Sequence, residues 1–290
     1  MALREEDIDM SNDTVNFGKG KIVTDGLVFR LDANSPRSYT GDGNTYDWYD
    51  LSAGTAYDAT FKSGEDSIKA SGILGVETDI KFFQFRTSGA AATETGYVHA
   101  EVPSGLRNEG ILKDENSSFT IEALFRPKYF LHTESGMPSS GAPIFGNPFH
   151  ESGCKNQGLL TTGYELEMLV RGTISSDSTT CFTDGINVSA ISGNVGIDGN
   201  WEHVTLCYDA STSDFKCYTN GISGQGVSTY PAVTEDFVGS HSDNTGAFFI
   251  GGDPYKYGGN VDVSVVSCYN RSLSSGEAYQ NYQALKYRVI

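Results

Sequence analysis

Apolar and polar residues alternate with a period of two along several short runs of this chain, the spacing of strands that bury one face. Within Trp201–Gly221, Val204, Leu206 and Tyr208 alternate with His203, Thr205 and Cys207. After a polar turn at Asp209–Asp214, Phe215, Cys217 and Thr219 alternate with Lys216 and Tyr218. Asn220-Gly221 ends the second run, because both residues tolerate positive φ in a tight turn. This stretch predicts the central hairpin of an antiparallel sandwich. The clearest alternation elsewhere is Ser118–Pro127, with Phe119, Ile121, Ala123 and Phe125 against Thr120, Glu122 and Arg126. Pro127 then ends the pairing, since it has no amide hydrogen to donate.

Further strands are expected at Lys21–Leu31, Glu77–Arg86, Tyr97–Val102, Tyr164–Arg171, Ala247–Ile250 and Val261–Tyr269. The aromatic run in Glu77–Arg86 suits a strand buried on both faces. His132–Gln157, Gly172–Gly199 and Ser223–Thr245 are rich in loop-forming residues, with a short strand expected at Ile186–Ile191. Near the end the period changes. Ser274 is an N-cap and Glu277 completes a capping box. Ala278, Tyr282 and Leu285 then share one helical face. This helix is expected to seal one end of the sandwich.

The composition supports a packed core: 38% of the 290 residues are hydrophobic, and 34 glycines supply turns. One domain over residues 21–290 is expected, preceded by an extended polar arm at residues 1–20, because sandwiches of roughly 200–250 residues are common as single domains. The net charge of −17 repels phosphates and anionic membranes, so neither nucleic acid nor a membrane is an expected partner. No apolar run has the length of a membrane span. The five cysteines show no CxxC or metal spacing and fit buried, reduced thiols of a protein folded in a cytoplasm.

Three groups of residues carry a resemblance. One is Trp201-Glu-His-Val-Thr-Leu-Cys-Tyr-Asp209 with Tyr218-Thr-Asn-Gly221. The second is Asp25-Gly-Leu-Val-Phe-Arg-Leu-Asp-Ala-Asn34 with Ser38-Tyr39 and Trp48-Tyr-Asp-Leu-Ser52. The third is Ile250-Gly-Gly252, Gly259-Asn-Val-Asp262 and Cys268-Tyr-Asn-Arg-Ser-Leu273. Together they resemble the laminin-G-like, concanavalin A-like jelly rolls, in the version found in tailed-phage virion proteins, notably those of marine phages. The resemblance covers about Val23 to Arg288 and implies an all-β antiparallel jelly-roll sandwich. It implies a non-enzymatic virion structural protein, a capsid decoration or fibre-associated module. Such a protein would be assembled in the host cytoplasm, displayed on the particle, self-associated and docked on other virion proteins. Adhesion to host-surface glycans is an added role, and a free lectin-like module is the alternative.

Chemistry-bearing residues are sparse. Glucanases of this superfamily use Glu-x-Asp-x-x-Glu, which is absent; Glu165-Leu-Glu167 is the nearest approach and lacks a third acid. His203 lies within a strand and reads as a packed residue. Calcium would need six to eight oxygen ligands, and the loop residues Asp32, Asn34, Asp42, Asn44, Asp243, Asn244 and Asp253 could contribute some. For sugars, ring stacking calls on the loop tyrosines Tyr39, Tyr46, Tyr230, Tyr255 and Tyr257. The best local group is Asp253, Tyr255 and Tyr257, with Tyr230 added.

Overall fold

Alternation becomes antiparallel pairing in two stacked sheets. The computed structural model describes residues 16–17, 20–41, 43–63, 66–85, 98–111, 116–127, 142–148, 156–162, 165–173, 181–187, 200–212, 214–223, 247–252 and 261–288. In chain order the first strands are β1 (Asn16–Phe17), β2 (Gly20–Lys21), β3 (Leu27–Asp32), β4 (Asp47–Trp48), β5 (Ala59–Ser63) and β6 (Asp66–Ser67). Then follow β7 (Leu74–Glu77), β8 (Ile80–Phe85), β9 (Val98–Val102), β10 (Phe119–Pro127), β11 (Ala142–Pro148), β12 (Asn156–Thr162) and β13 (Glu165–Thr173). The last are β14 (Cys181–Asn187), β15 (Glu202–Asp209), β16 (Asp214–Thr219), β17 (Ile222–Ser223), β18 (Phe248–Ile250) and β19 (Val261–Tyr269), before helix α1 (Ser275–Leu285).

The first sheet runs β17-β16-β15-β10-β19-β8-β7, with β3 also on β19. The second runs β14-β13-β12-β11-β18-β9-β5-β4, with β6 on β5. Their inner faces share one core. Phe83 of β8 packs 4.7 Å from Trp48 and 4.5 Å from Phe61 of the second sheet, and Phe29 of β3 meets Phe145 of β11 at 5.9 Å. The chain is thus an antiparallel β-sandwich with a short C-terminal helix, as the alternation and the resemblance imply.

β10 and β19 hold the middle of the first sheet. β10 is ladder-bonded on both sides, to β15 and β19. β19 has β10 along one side and, end to end along the other, β8 at Val261–Val263 and β3 at Val265–Tyr269. The register between β10 and β19 slips between Leu124 and Phe125, which leaves Ser264 as an extra residue. Val263 before it and Val266 after it face the same core, while Val265 joins the outer layer. Trp201–Gly221 does form the expected hairpin, with Asn220 at φ 51° and Gly221 at φ 73°. Among the described residues it is not central, however: β16 has only the two-residue β17 beyond it. Local alternation identifies a strand but carries no information on which neighbours it acquires.

Other expectations shift. The strand expected at Glu77–Arg86 forms as β8, Ile80–Phe85, while Glu77 ends β7 and Thr78, at φ 47°, lies in the turn between them; Arg86 lies outside the described residues. β8 is buried on both faces, as expected: Phe83 and Phe85 in the main core, Ile80 and Phe82 outside it. Lys21–Leu31 is broken by a turn at Thr24–Gly26, closed by the Leu27 amide on the Thr24 carbonyl. The connection expected over His132–Gln157 contains β11, and the strand expected at Ile186–Ile191 runs earlier, as β14. α1 starts at the expected cap, with both halves of the capping box formed. It covers a face of the first sheet rather than an end of the sandwich. Ala278 packs with Cys207, Tyr218 and Tyr269, and Leu285 packs with Ile80, Phe82, Leu124 and Val265. Residues 1–15 and 18–19 of the expected arm lie outside the described residues; β1 and β2 pair as a ribbon, and Gly20 of β2 abuts Ala284 of α1.

Candidate functional site

The motifs that carried the resemblance turn out to tie the chain to itself. Asp25-Gly26 meets Asn270-Arg271: the Asn270 amide donates to the Gly26 carbonyl, and Arg271 pairs with Asp25 at 2.9 Å. Gly26 sits at φ 75°, and a Cβ there would press on the Arg271 side chain. Asp50 accepts from the amides of Arg30, Ser52 and Tyr57 and from the Ser52 hydroxyl. Burial outweighs these four donors and raises the Asp50 carboxyl above 3.8. It organises the loop that follows Trp48.

Beneath α1 lies a polar layer on the outer face of the first sheet. Glu122 of β10 is fully buried, and its Oε1 lies 3.6 Å from Nε2 of His203 on β15. Asn281 of α1 donates to Glu122 Oε2 at 2.7 Å and to the Tyr269 hydroxyl at 2.9 Å, and accepts from the Val23 amide at 2.7 Å. Tyr269 donates to the Val23 carbonyl. Next to this group, Arg30 of β3 donates to Ser267 and Asp32, and Arg288, just past α1, reaches Asp32 at 2.7 Å. Burial opposes the ionisation of both acids. The Arg288 and Arg30 guanidiniums still hold Asp32 below 3.8, and His203, Arg30 and Asn281 hold Glu122 below 4.5. Several atoms in the layer have no hydrogen-bond partner, namely Glu122 Oε1, both His203 ring nitrogens and Thr205 Oγ1.

At the far end of the same face, Arg126 bonds bidentately to Glu77 and to the buried Asp262, and lies over the rings of Phe82 and Trp201 at 5.1 and 4.9 Å. Every acid fully buried among the described residues therefore has a cationic or imidazole neighbour: Asp32, Glu122 and Asp262. His203 is a packed residue under a helix, as its strand position suggested.

Tyr255, Tyr257, Asp253 and Tyr230 lie outside the described residues, as do Asp42, Asp243 and Asn244. The β13 backbone places Glu165 opposite Thr162 and Glu167 opposite Leu160 and Asn187. Asp32 and Asn34 are committed to structure: Asp32 to Arg30 and Arg288, and Asn34 Oδ1 to the Lys81 amide. Among the described residues, no three of His, Cys, Asp and Glu gather as metal ligands would. Of the loop tyrosines, Tyr39 is buried against Phe83, whereas Tyr46 is 42% exposed.

Tyr46 leads into the outer face of the second sheet. Pairing aligns Asp47 with Thr60, Thr60 with Glu101, and Glu101 with Phe249. These residues point away from the core that holds Trp48, Ala59, Phe61, Ala100 and Phe248. The row crosses β4, β5, β9 and β18, about 14 Å at the usual strand spacing. Thr60 donates to Asp47 at 2.9 Å, and Lys62 pairs with Glu101. Lys62 and Glu101 are 26% and 34% exposed, whereas Phe249 and His99 at the row's end are covered and in ring contact. Asn44 and Lys69, bonded at 3.2 Å, stand beside Tyr46 at the rim. The pairing register that builds this row is invisible in any single segment.

No protein-family model matches the chain, and no curated protein matches it in sequence. Solved structures match its fold. The receptor-binding domain of a botulinum neurotoxin C/D mosaic serotype is 13% identical with a TM-score of 0.51, covering 90% of this chain and 52% of that one. The binding domain of botulinum neurotoxin DC in complex with rat synaptotagmin II is 12% identical with a TM-score of 0.50 and the same coverage. Trypanosoma rangeli sialidase in complex with the inhibitor DANA is 17% identical with a TM-score of 0.52, covering 94% of this chain and 35% of the enzyme. The chain spans about half the length of the toxin domains and about a third of the sialidase. At these identities the likeness is one of fold: an antiparallel β-sandwich.

Proposed function

We propose that this chain is a non-enzymatic, lectin-like binding module that holds glycans on the outer face and rim of its second sheet. One observation carries the reading: the two outer faces are treated differently. The first is sealed by α1 over a polar layer, while the second keeps part-exposed Asp47, Thr60 and Glu101 in register, with part-exposed Lys62 paired to Glu101, beside the exposed ring of Tyr46. Carboxylate and hydroxyl groups in a row with an ammonium beside them suit sugar hydroxyls, and a ring at the rim suits a sugar face. The charge of −17 favours neutral or amino sugars over sulfated or sialylated ones.

Display on a phage particle, with virion proteins and further copies of the chain as partners, is the finer form of the proposal. Its support is the resemblance of the hairpin and terminal motifs. A glycan array run with and without calcium tests the binding. Thr60→Ala and Glu101→Ala are expected to weaken any neutral-glycan signal by about tenfold each, as loss of a hydrogen bond to a ligand does. Absence of binding, or binding indifferent to both changes, refutes the site. Mass spectrometry of purified particles lacking the chain refutes the virion placement.

A further inference from the structure

We infer that α1 is an acid-released latch: protonation of the buried acids beneath it frees the helix and uncovers the outer face of the first sheet, while the two-sheet core stays folded. The inference is independent of glycan binding. The fully buried apolar residues of α1 are one leucine and two alanines, Leu285, Ala278 and Ala284, and the half-buried Tyr282 adds a ring contact with His203. Much of the remaining contact is polar. Asn281 is bonded to Glu122, Tyr269 and Val23, Gln280 donates to the Lys21 carbonyl, and Arg288 pairs with Asp32. An interface of this kind depends on the charge state of the groups inside it.

The groups facing Glu122 come from four elements: His203 and Cys207 of β15, Arg30 of β3, Tyr269 of β19 and Asn281 of α1. Asp32 faces Arg30 and Arg288, and at the start of α1 Glu277 faces Arg271, which also holds Asp25. With Glu122 and Asp32 charged, each cation has its counter-charge. With both protonated, Arg30 is left under the helix without its counter-charge, and Arg288 loses its tether. The atoms that already lack partners, Glu122 Oε1, both His203 nitrogens and Thr205 Oγ1, gain access to water once the helix lifts. The main core contains none of these groups, because it is built from apolar residues of both sheets. It therefore has no matching reason to open. Both carboxyls are held below their ordinary values, so their stabilisation is complete above pH 4.5 and is lost as pH falls through the lower folded values.

The chain's two tryptophans separate the two events. Trp201 packs against the Leu285 cluster under α1, and Trp48 is fully buried in the main core. Acid titration of Trp48→Phe, which leaves Trp201 to report, is expected to show a fluorescence transition below pH 4.5. Trp201→Phe, reporting Trp48, is expected to hold its signal to lower pH. Hydrogen exchange of the unsubstituted chain, read by mass spectrometry, gives the same answer without either variant: α1 loses protection before β10. Arg288→Gln should move the latch transition up by about one pH unit, the usual effect of removing one neighbouring opposite charge. Loss of both signals, or of both protections, in a single transition overturns the inference, and so does an Arg288→Gln midpoint equal to that of the parent chain.

Discussion

Replacing Asn281 by alanine isolates the contact between α1 and the sheet beneath it. The substitution leaves the helix's apolar residues in place and removes only the amide. Two buried groups lose their partners: Glu122 Oε2, at 2.7 Å, and the Val23 amide, at 2.7 Å. The Tyr269 hydroxyl keeps its bond to the Val23 carbonyl. Each orphaned buried group costs about 1–3 kcal/mol, with the carboxylate toward the upper end. Alanine returns about 0.5 kcal/mol through helix propensity. The expected net loss is roughly 2–5 kcal/mol at pH 7. Urea unfolding followed by Trp fluorescence and far-ultraviolet dichroism measures it. A cycle with Glu122→Gln sharpens the test, because a neutral amide at 122 needs Asn281 less. The two losses should fall short of their sum by about 1 kcal/mol or more, as expected of directly bonded partners. A loss under about 1 kcal/mol for Asn281→Ala, or strict additivity in the cycle, refutes the view that this amide bridges helix, sheet and N-terminal segment.

Two further outcomes follow from packing. Cys207 and Cys217 are free thiols raised by burial to about 11 and about 12, and Cys268 is raised well above 9. Peptides carrying these three should remain unmodified by iodoacetamide at pH 8 in the folded protein and be alkylated in denaturant; fast native labelling of any of them contradicts their placement. Gly251 has φ 76°, and a Cβ there would come within 2.0 Å of the Phe85 ring. Gly251→Ala should therefore cost about 2–4 kcal/mol in unfolding experiments, from overpacking and backbone strain together, and a neutral result would show that the β18 end can shift.

Much of the architecture was legible in local chemistry. Period-two alternation located β10, β13, β15 and β16, because a strand with one apolar face must repeat every second residue. Ser274 and Glu277 located the start of α1, because a capping box is a three-residue interaction. The aromatic run at Phe82, Phe83 and Phe85 announced a strand buried twice over. Strand order, by contrast, depends on which edge meets which. The hairpin at Trp201–Gly221 looked central and lies toward an edge, while β19 became central through the two short strands that share its flank. Asn281 was missed because a polar residue beside Tyr282 and Leu285 reads as solvent-facing; only a buried carboxylate from a strand 159 residues away makes it an interior residue. Asp32 read as a loop residue and instead closes β3, whereas Glu122 was legible as the polar side of its strand. That this side is sealed depends on where the terminal helix comes to rest. The row at Asp47, Thr60 and Glu101 likewise exists only through pairing register, since the three residues come from separate strands with unremarkable local sequence. Short-range steric and hydrogen-bonding rules act within a few residues and so are written in the sequence. Burial of charge and alignment across strands arise from contacts between distant segments, and the folded chain alone determines them.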